Sequence, residues 1–174
     1  NWDSTWRCAS LRSYGDFLLG LSMTEGSTSF PNRVRWSNIV TANTFPDSWD
    51  ELDTTKSAGF NDLVQLETAI IDAVPLGSNM VIFSSDQAWL MEFVGGAFVF
   101  NFRKIHDIGI INANCAVEVE NKLFVFGPQD IYVTDGTTQQ SIADERVRDF
   151  VYQGLNIQNA DRCFVHYNEA LQEI

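Results

Sequence analysis

The residues able to do acid–base or nucleophilic chemistry are few and scattered. His106 and His166 stand 60 positions apart, and neither has a serine, cysteine or ligand cluster at a spacing that would make it a base or a metal ligand. Cys8, Cys115 and Cys163 are too widely separated for the paired spacing of a zinc site or a disulfide framework, so they read as buried thiols from a reducing compartment. There is no G-x-S-x-G elbow, H-E-x-x-H pair, Walker loop or G-x-G-x-x-G, and Gly95-Gly96 suits a hairpin turn rather than a phosphate cradle. The densest carboxylate run, Asp47-Ser48-Trp49-Asp50-Glu51-Leu52-Asp53, lacks the glycine-bearing spacing of a calcium loop. Asp47 and Ser48 instead suit the cap of a single helical turn. Together these readings predict no catalysis, no metal and no cofactor.

Charge narrows the partners. Eleven basic residues against 23 acidic give −12, the wrong sign for a protein that holds nucleic acid by neutralising phosphates. No apolar run approaches the roughly 18 residues needed to span a bilayer, and no basic-then-apolar leader is present. The sequence begins without Met and stops within an expected strand, which reads as a segment of a longer polypeptide.

The elements that must position any site are strands. Thirteen Phe and five Trp favour a pleated, half-buried surface. An offset of 42 residues lays Asn79 on Asn121, Val81 on Leu123, Phe83 on Val125, Gln87 on Gln129, Trp89 on Ile131 and Met91 on Val133. A period of about 40 to 45 residues built from short strands marks propeller blades, each of which needs neighbours to bury its faces. The chain is therefore expected to be all-β, a segment of one β-propeller domain made of four-stranded antiparallel blades. Three blades are placed at 5–67, 68–105 and 113–143, and the start of a fourth at 160–174. A long loop is inserted at 38–57 and a short helix at 144–156.

Within the blades, Tyr14-Gly15-Asp16 turns a hairpin and Thr24 to Ser29 reads as a small-residue loop. Arg33-Val34-Arg35-Trp36 reads as a half-exposed strand with both arginines on its polar face. Phe98, Phe100 and Phe102, following Ala97, read as one core stripe, and Val117 and Val119 as the buried face of a strand whose Glu118 and Glu120 face water. Asn121-Lys122 is the next turn. Ser141 and Asp144 read as the start of the helix, whose apolar face is Val147, Phe150 and Val151 and whose stop is Gly154.

Several phrases add a family resemblance. Cys8-Ala9-Ser10-Leu11-Arg12, Pro31-Asn32-Arg33-Val34-Arg35-Trp36-Ser37, Ser48-Trp49-Asp50, Ala58-Gly59-Phe60, Leu76-Gly77-Ser78 and Phe98-Val99-Phe100 together resemble the tail hub or nozzle proteins of tailed, especially short-tailed, bacteriophages. The resemblance covers most of the chain, and its most specific part is the Asn32 to Ser37 phrase followed by the Trp49 loop. It implies a non-enzymatic virion protein of the tail, assembled in the host cytoplasm as a ring, commonly of six copies. Its implied partners are further copies of itself, a portal or adaptor, and tail fibres or spikes. Genome DNA passes through the ring without specific binding, and an acidic wall would let phosphates slide past.

The candidate subunit interface is Arg33, Arg35, Trp36, Asp47, Trp49 and Asp50, with Trp49 as an aromatic anchor in the 38–57 insertion. For the arginines and Trp36 the other reading is pairing and stacking within their own blade. A second function is a propeller that binds or cleaves glycans, with Trp2, Trp6 and Trp49 as stacking platforms beside carboxylates.

Overall fold

The computed structural model describes residues 2–96 and 98–174; Ala97 of the expected aromatic stripe lies outside them. Twelve strands form three four-stranded antiparallel sheets, each a meander of neighbours in sequence, so the chain is all-β apart from one short helix and a 3-10 turn. The first sheet holds β1 (Arg7–Tyr14), β2 (Phe17–Glu25), β3 (Thr28–Trp36) and β4 (Gly59–Asp62). The second holds β5 (Asp72–Leu76), β6 (Asn79–Phe83), β7 (Ala88–Phe93) and β8 (Phe100–His106). The third holds β9 (Ala116–Val119), β10 (Lys122–Phe126), β11 (Ile131–Thr134) and β12 (Gln139–Ser141).

Two-residue turns fix the register of the first hairpin in every sheet: Tyr14 pairs with Phe17, Leu76 with Asn79 and Val119 with Lys122. Gly15 and Gly77 take φ of 53° and 58°, and in the third sheet Glu120 and Asn121 take 52° and 60°, the left-handed backbone that such turns require. The last turn is Glu120-Asn121, one residue earlier than expected.

The structural repeat accordingly runs at 43 residues: Asn79 falls on Lys122, Met80 on Leu123 and Phe83 on Phe126. A slip of one residue moves every side chain to the opposite face, so the 42-residue alignment paired positions that point in opposite directions. The same slip reverses the reading of β9. Ala116 and Glu118 share the face turned to the second sheet, where Glu118 accepts the Gly77 N–H at 2.8 Å, while Val117 and Val119 are half-buried on the other face.

Two apolar cores lie between consecutive sheets. Leu19, Leu21, Val34 and Trp36 of the first sheet meet Met80, Ile82, Trp89 and Met91 of the second. Val81, Phe83 and Leu90, on the opposite face of the second sheet, meet Leu123, Val125 and Tyr132 of the third. The second sheet is thus buried on both faces. Between sheets the sustained backbone approaches join the first strands, β1 with β5 and β5 with β9. Packing at the second junction leaves no room at Gly109: a Cβ there would collide with the Ser84 backbone carbonyl, which also accepts the Ile110 N–H at 3.0 Å. Gly109→Ala forces this backbone apart and is expected to cost ~1–3 kcal/mol, measurable by denaturant unfolding.

Other expectations are corrected by the strand pairing. Thr24 to Ser29 is not a loop: β2 runs to Glu25, Gly26-Ser27 turns, and β3 starts at Thr28, because threonine and serine pair across strands as readily as they form turns. Phe100 is buried and Phe102 half-buried as expected, but Phe98 sits in the β7–β8 loop, 80% exposed. The helix α1 (Glu145–Gly154) is capped by Asp144, which accepts the Val147 N–H, and Ser141 belongs to β12. Its Val147 and Phe150 stay exposed; Tyr152 tethers it, donating to the Gly127 carbonyl at 2.7 Å and resting on Phe126. The start of a fourth blade expected at 160–174 holds no strand over residues 163–167, although Val165 N–H reaches the Asn114 carbonyl at 2.8 Å. Among the described residues no helix is long and apolar enough to cross a membrane.

Candidate functional site

The expected interface residues gather on the first sheet, but on two faces and at different depths. Trp36 faces the second sheet, 5.1 Å from the Phe100 ring, with its indole N–H on the Ser57 carbonyl at 2.8 Å. Gly59 lies flat against that indole, where any Cβ would strike the ring at 2.8 Å. Arg33 and Arg35 point to the opposite, outer face.

A bulge builds the pocket that receives these arginines. At Ser22, with φ of 52°, the β2–β3 register shifts, and beyond it Met23 and Glu25 project to the outer face. Glu25 is then placed between the two guanidinium groups, accepting from Arg33 Nη1 and Arg35 Nε, each at 3.0 Å. Arg33 also forks onto Asp62, its cross-strand neighbour, at 2.7 and 2.8 Å, and lies over the rings of Phe30 and Phe60. The hydrogen bonds that Arg33 donates to Asp62 and Glu25 outweigh burial and raise its pKa above the ordinary value. Arg35 donates to the Trp49 carbonyl at 2.9 Å and to Glu51 at 2.8 Å, and stacks 4.2 Å from the Trp6 ring centroid. Burial pushes Glu51 up, yet the Arg35 hydrogen bond prevails and holds its carboxyl below the usual range.

The 38–57 insertion is ordered without a helix. Asn38 clamps both ends, its N–H on the Ser48 carbonyl and its side-chain oxygen on the Ser57 N–H, each at 2.9 Å. Ser48 accepts the Asp50 N–H and Asp50 accepts the Leu52 N–H, which makes consecutive side-chain turns in place of the expected helical turn. This arrangement folds Trp49 inward. Its ring is 4% exposed and meets Trp2 edge-to-face at 4.9 Å, while Trp2 meets Trp6 at 5.8 Å in the same manner.

Arg33, Arg35, Trp36 and Trp49 are therefore consumed inside the chain itself and present no contact surface; the reading of stacking and pairing within their own blade describes the arginines. The Trp49 ring is buried within its own chain, packed against Trp2 over the outer face of the first sheet. Trp2, the middle ring of the three, packs against both Trp6 and Trp49 in T-shaped contacts. Asp47 and Asp50 alone of the six are exposed, Asp47 between Asn38 at 2.9 Å and Lys56 at 2.5 Å. What the sequence concealed is the seal formed by Trp2, Trp6 and Trp49 over Arg35. The alternation of Arg33 and Arg35 signalled a polar face, and three tryptophans flanking it were the available sign that the face would be covered.

The isolated chemistry-bearing groups have structural partners. His106 is buried between the second and third sheets, its Nε2 at 2.6 Å from Thr134 Oγ1. Thr134 donates to the Thr138 carbonyl and accepts the Gly136 N–H, so His106 supplies its Nε2–H as the remaining donor. Burial lowers the His106 pKa, against an opposing pull from Asp135 and Asp107. The unfolded chain then binds the extra proton first: the His106 contribution to stability is complete above about pH 6.5 and drains away as pH falls below it. The unfolding temperature is expected to drop between pH 7 and pH 5 in the native protein, and His106→Gln to flatten that slope. Cys115 is buried, its thiol pushed up to about 11 by desolvation, and donates to the Cys163 carbonyl at 3.2 Å. An unreactive, protonated thiol is the consequence.

Comparison of the chain with protein-family models and with curated protein sequences found no match.

Proposed function

We propose that the three sheets are consecutive blades of a β-propeller and that the chain is part of a ring-forming nozzle or hub protein of a bacteriophage tail. The observation that carries the architecture is the approach of β1, β5 and β9. Sheets that converge at their first strands, while burying apolar faces against the next sheet in sequence, fan out around an axis as propeller blades do.

Equivalent positions add support. Val81, Phe83 and Leu90 are buried by the third sheet, and 43 residues on Phe124, Phe126 and Val133 keep an apolar character on the third sheet's outer face, where they are only half-covered. A further blade would bury them as its predecessor's are buried. Residues 163–167 lie where its first strand would begin, beside Asn114 and Cys115.

The tail assignment rests on the sequence phrases and on the charge. A ring of chains each carrying −12 repels phosphate, so double-stranded DNA crosses it without the counterion-releasing contacts that would retain it. The protein's part is geometric and non-enzymatic, and its place is the virion.

A reconstruction of the intact particle tests the proposal: a ring of this chain should encircle the DNA path, with no ordered protein–base contacts. A particle whose tail lacks such a ring, or a chain that binds duplex DNA tightly with a steep salt dependence, would overturn it.

A further inference from the structure

One group of exposed apolar side chains is gathered at a single end of the fold. Phe45 and Leu52 of the insertion are 94% and 83% exposed, Phe98 of the β7–β8 loop 80%, and Ile39 and Phe93 more than half. None belongs to either core. All lie at one end of the first two sheets, where the β1–β2 turn, the insertion and the β7–β8 loop come together.

Contacts between these loops make the surface continuous. Val40 N–H bonds the Asp16 carbonyl at 2.7 Å, and Phe93 stacks on Phe17 at 5.8 Å. A groove of about 800 Å3 separates the insertion from the β7–β8 loop, with Phe60 and Phe98 on its walls and Trp36 and Phe100 below.

Around the apolar centre runs a rim with an excess of carboxylates. The insertion holds four carboxylates; Asp47 is tied to Lys56 and Glu51 to Arg35, which leaves Asp50 and Asp53 as its charge toward a partner. Asp16 adds another from the β1–β2 turn. Asp50 and Asp53 cap their own turns through Oδ1, toward the Leu52 and Thr55 N–H groups, which fixes their charge at the surface.

We infer that this loop end of the first two sheets is a docking surface for a basic protein partner, one that presents lysine or arginine around an apolar centre. Aromatic anchors inside a charged rim are the anatomy of a protein interface, and an acidic rim selects a partner of the opposite sign. The same carboxylates repel anionic lipid and nucleic acid, and they repel the same face of a second copy. The inference needs only this surface and stands whether or not the sheets belong to a tail ring.

A synthetic amphipathic helix of leucine and lysine is the probe, its binding to the whole chain followed by fluorescence anisotropy. The double variants Phe45→Ser/Phe98→Ser and Asp50→Asn/Asp53→Asn are each expected to weaken it about tenfold or more. Their unfolding temperatures should stay within about 2 °C of the native protein, since these side chains lie outside both cores. Unchanged affinity in both variants would overturn the inference. So would capture of the native chain by phosphatidylglycerol vesicles, or self-association that either double variant abolishes.

Discussion

Asp72→Ala is expected to remove ~3–5 kcal/mol of stability, the loss that follows when one partner of a buried ion pair is deleted. For a chain of this length that is on the order of 10 °C in the unfolding temperature. Asp72 is wholly buried at the start of β5, and its carboxylate takes four hydrogen bonds from three directions. Oδ1 accepts from Ser10 Oγ at 2.8 Å and from the Ala73 N–H at 2.9 Å; Oδ2 accepts from Arg12 at 2.7 Å and from the Asn114 N–H at 3.0 Å. Ser10 and Arg12 lie on β1, and Asn114 precedes β9, so one carboxylate ties together the first strands of the first two sheets and the approach to the third.

Asn114 reaches it through a φ of 63°, a conformation asparagine tolerates better than most residues. Arg12→Met is the control. Its side chain is one-third exposed, so its removal leaves three hydrogen bonds on the carboxylate and should cost distinctly less than Asp72→Ala. Equal losses would put the whole effect in the Arg12–Asp72 pair, whereas a loss below about 1 kcal/mol for Asp72→Ala would show that the junction is held by apolar packing alone.

Arg35→Leu is the second large loss, again ~3–5 kcal/mol. The guanidinium is 1% exposed, and its removal strands the Trp49 carbonyl and takes the charge partner from Glu51, while Glu25 retains Arg33. It also withdraws the cation on which Trp6 rests. The spectroscopic signature is specific: tryptophan emission should shift to the red before global unfolding, as Trp2, Trp6 and Trp49 lose the group they close over. Arg35→Lys keeps the charge but cannot reach Glu25, Glu51 and the carbonyl from one planar fork, and should recover only part of the loss. An Arg35→Leu variant with unaltered emission and stability would mean that the tryptophans seal the sheet without help from the network beneath them.

The strands of the second and third sheets were legible because alternation and short glycine or asparagine turns are local signals. The hairpin at Gly15-Asp16 was placed correctly. The repeat was legible too, but its period was short by one. Asn79 and Asn121 look alike, whereas the backbone matches Asn79 to Lys122 because the turn falls at Glu120-Asn121, with a glutamate holding a left-handed φ that sequence gives no reason to expect. That single residue decided which face of β9 is buried.

The candidate site failed for a different reason. Arg33, Arg35 and Trp49 were recognised as unusual, but whether they face a neighbour or their own chain depends on the Ser22 bulge and on where Trp2 and the insertion settle, and these are tertiary facts. Composition revealed the acidic rim; only the fold showed Phe45, Leu52 and Phe98 lying inside it.

The two flanks of the stack differ in kind. The outer side of the first sheet carries tryptophan laid over a buried arginine, whereas the outer side of the third carries half-covered phenylalanine and valine. Each sheet is also made from one uninterrupted stretch of sequence, so its pairing waits for nothing distant. A polypeptide with this polarity can set behind the ribosome in the order it is made, every completed layer serving as template for the next and sticky surface existing only at the growing edge.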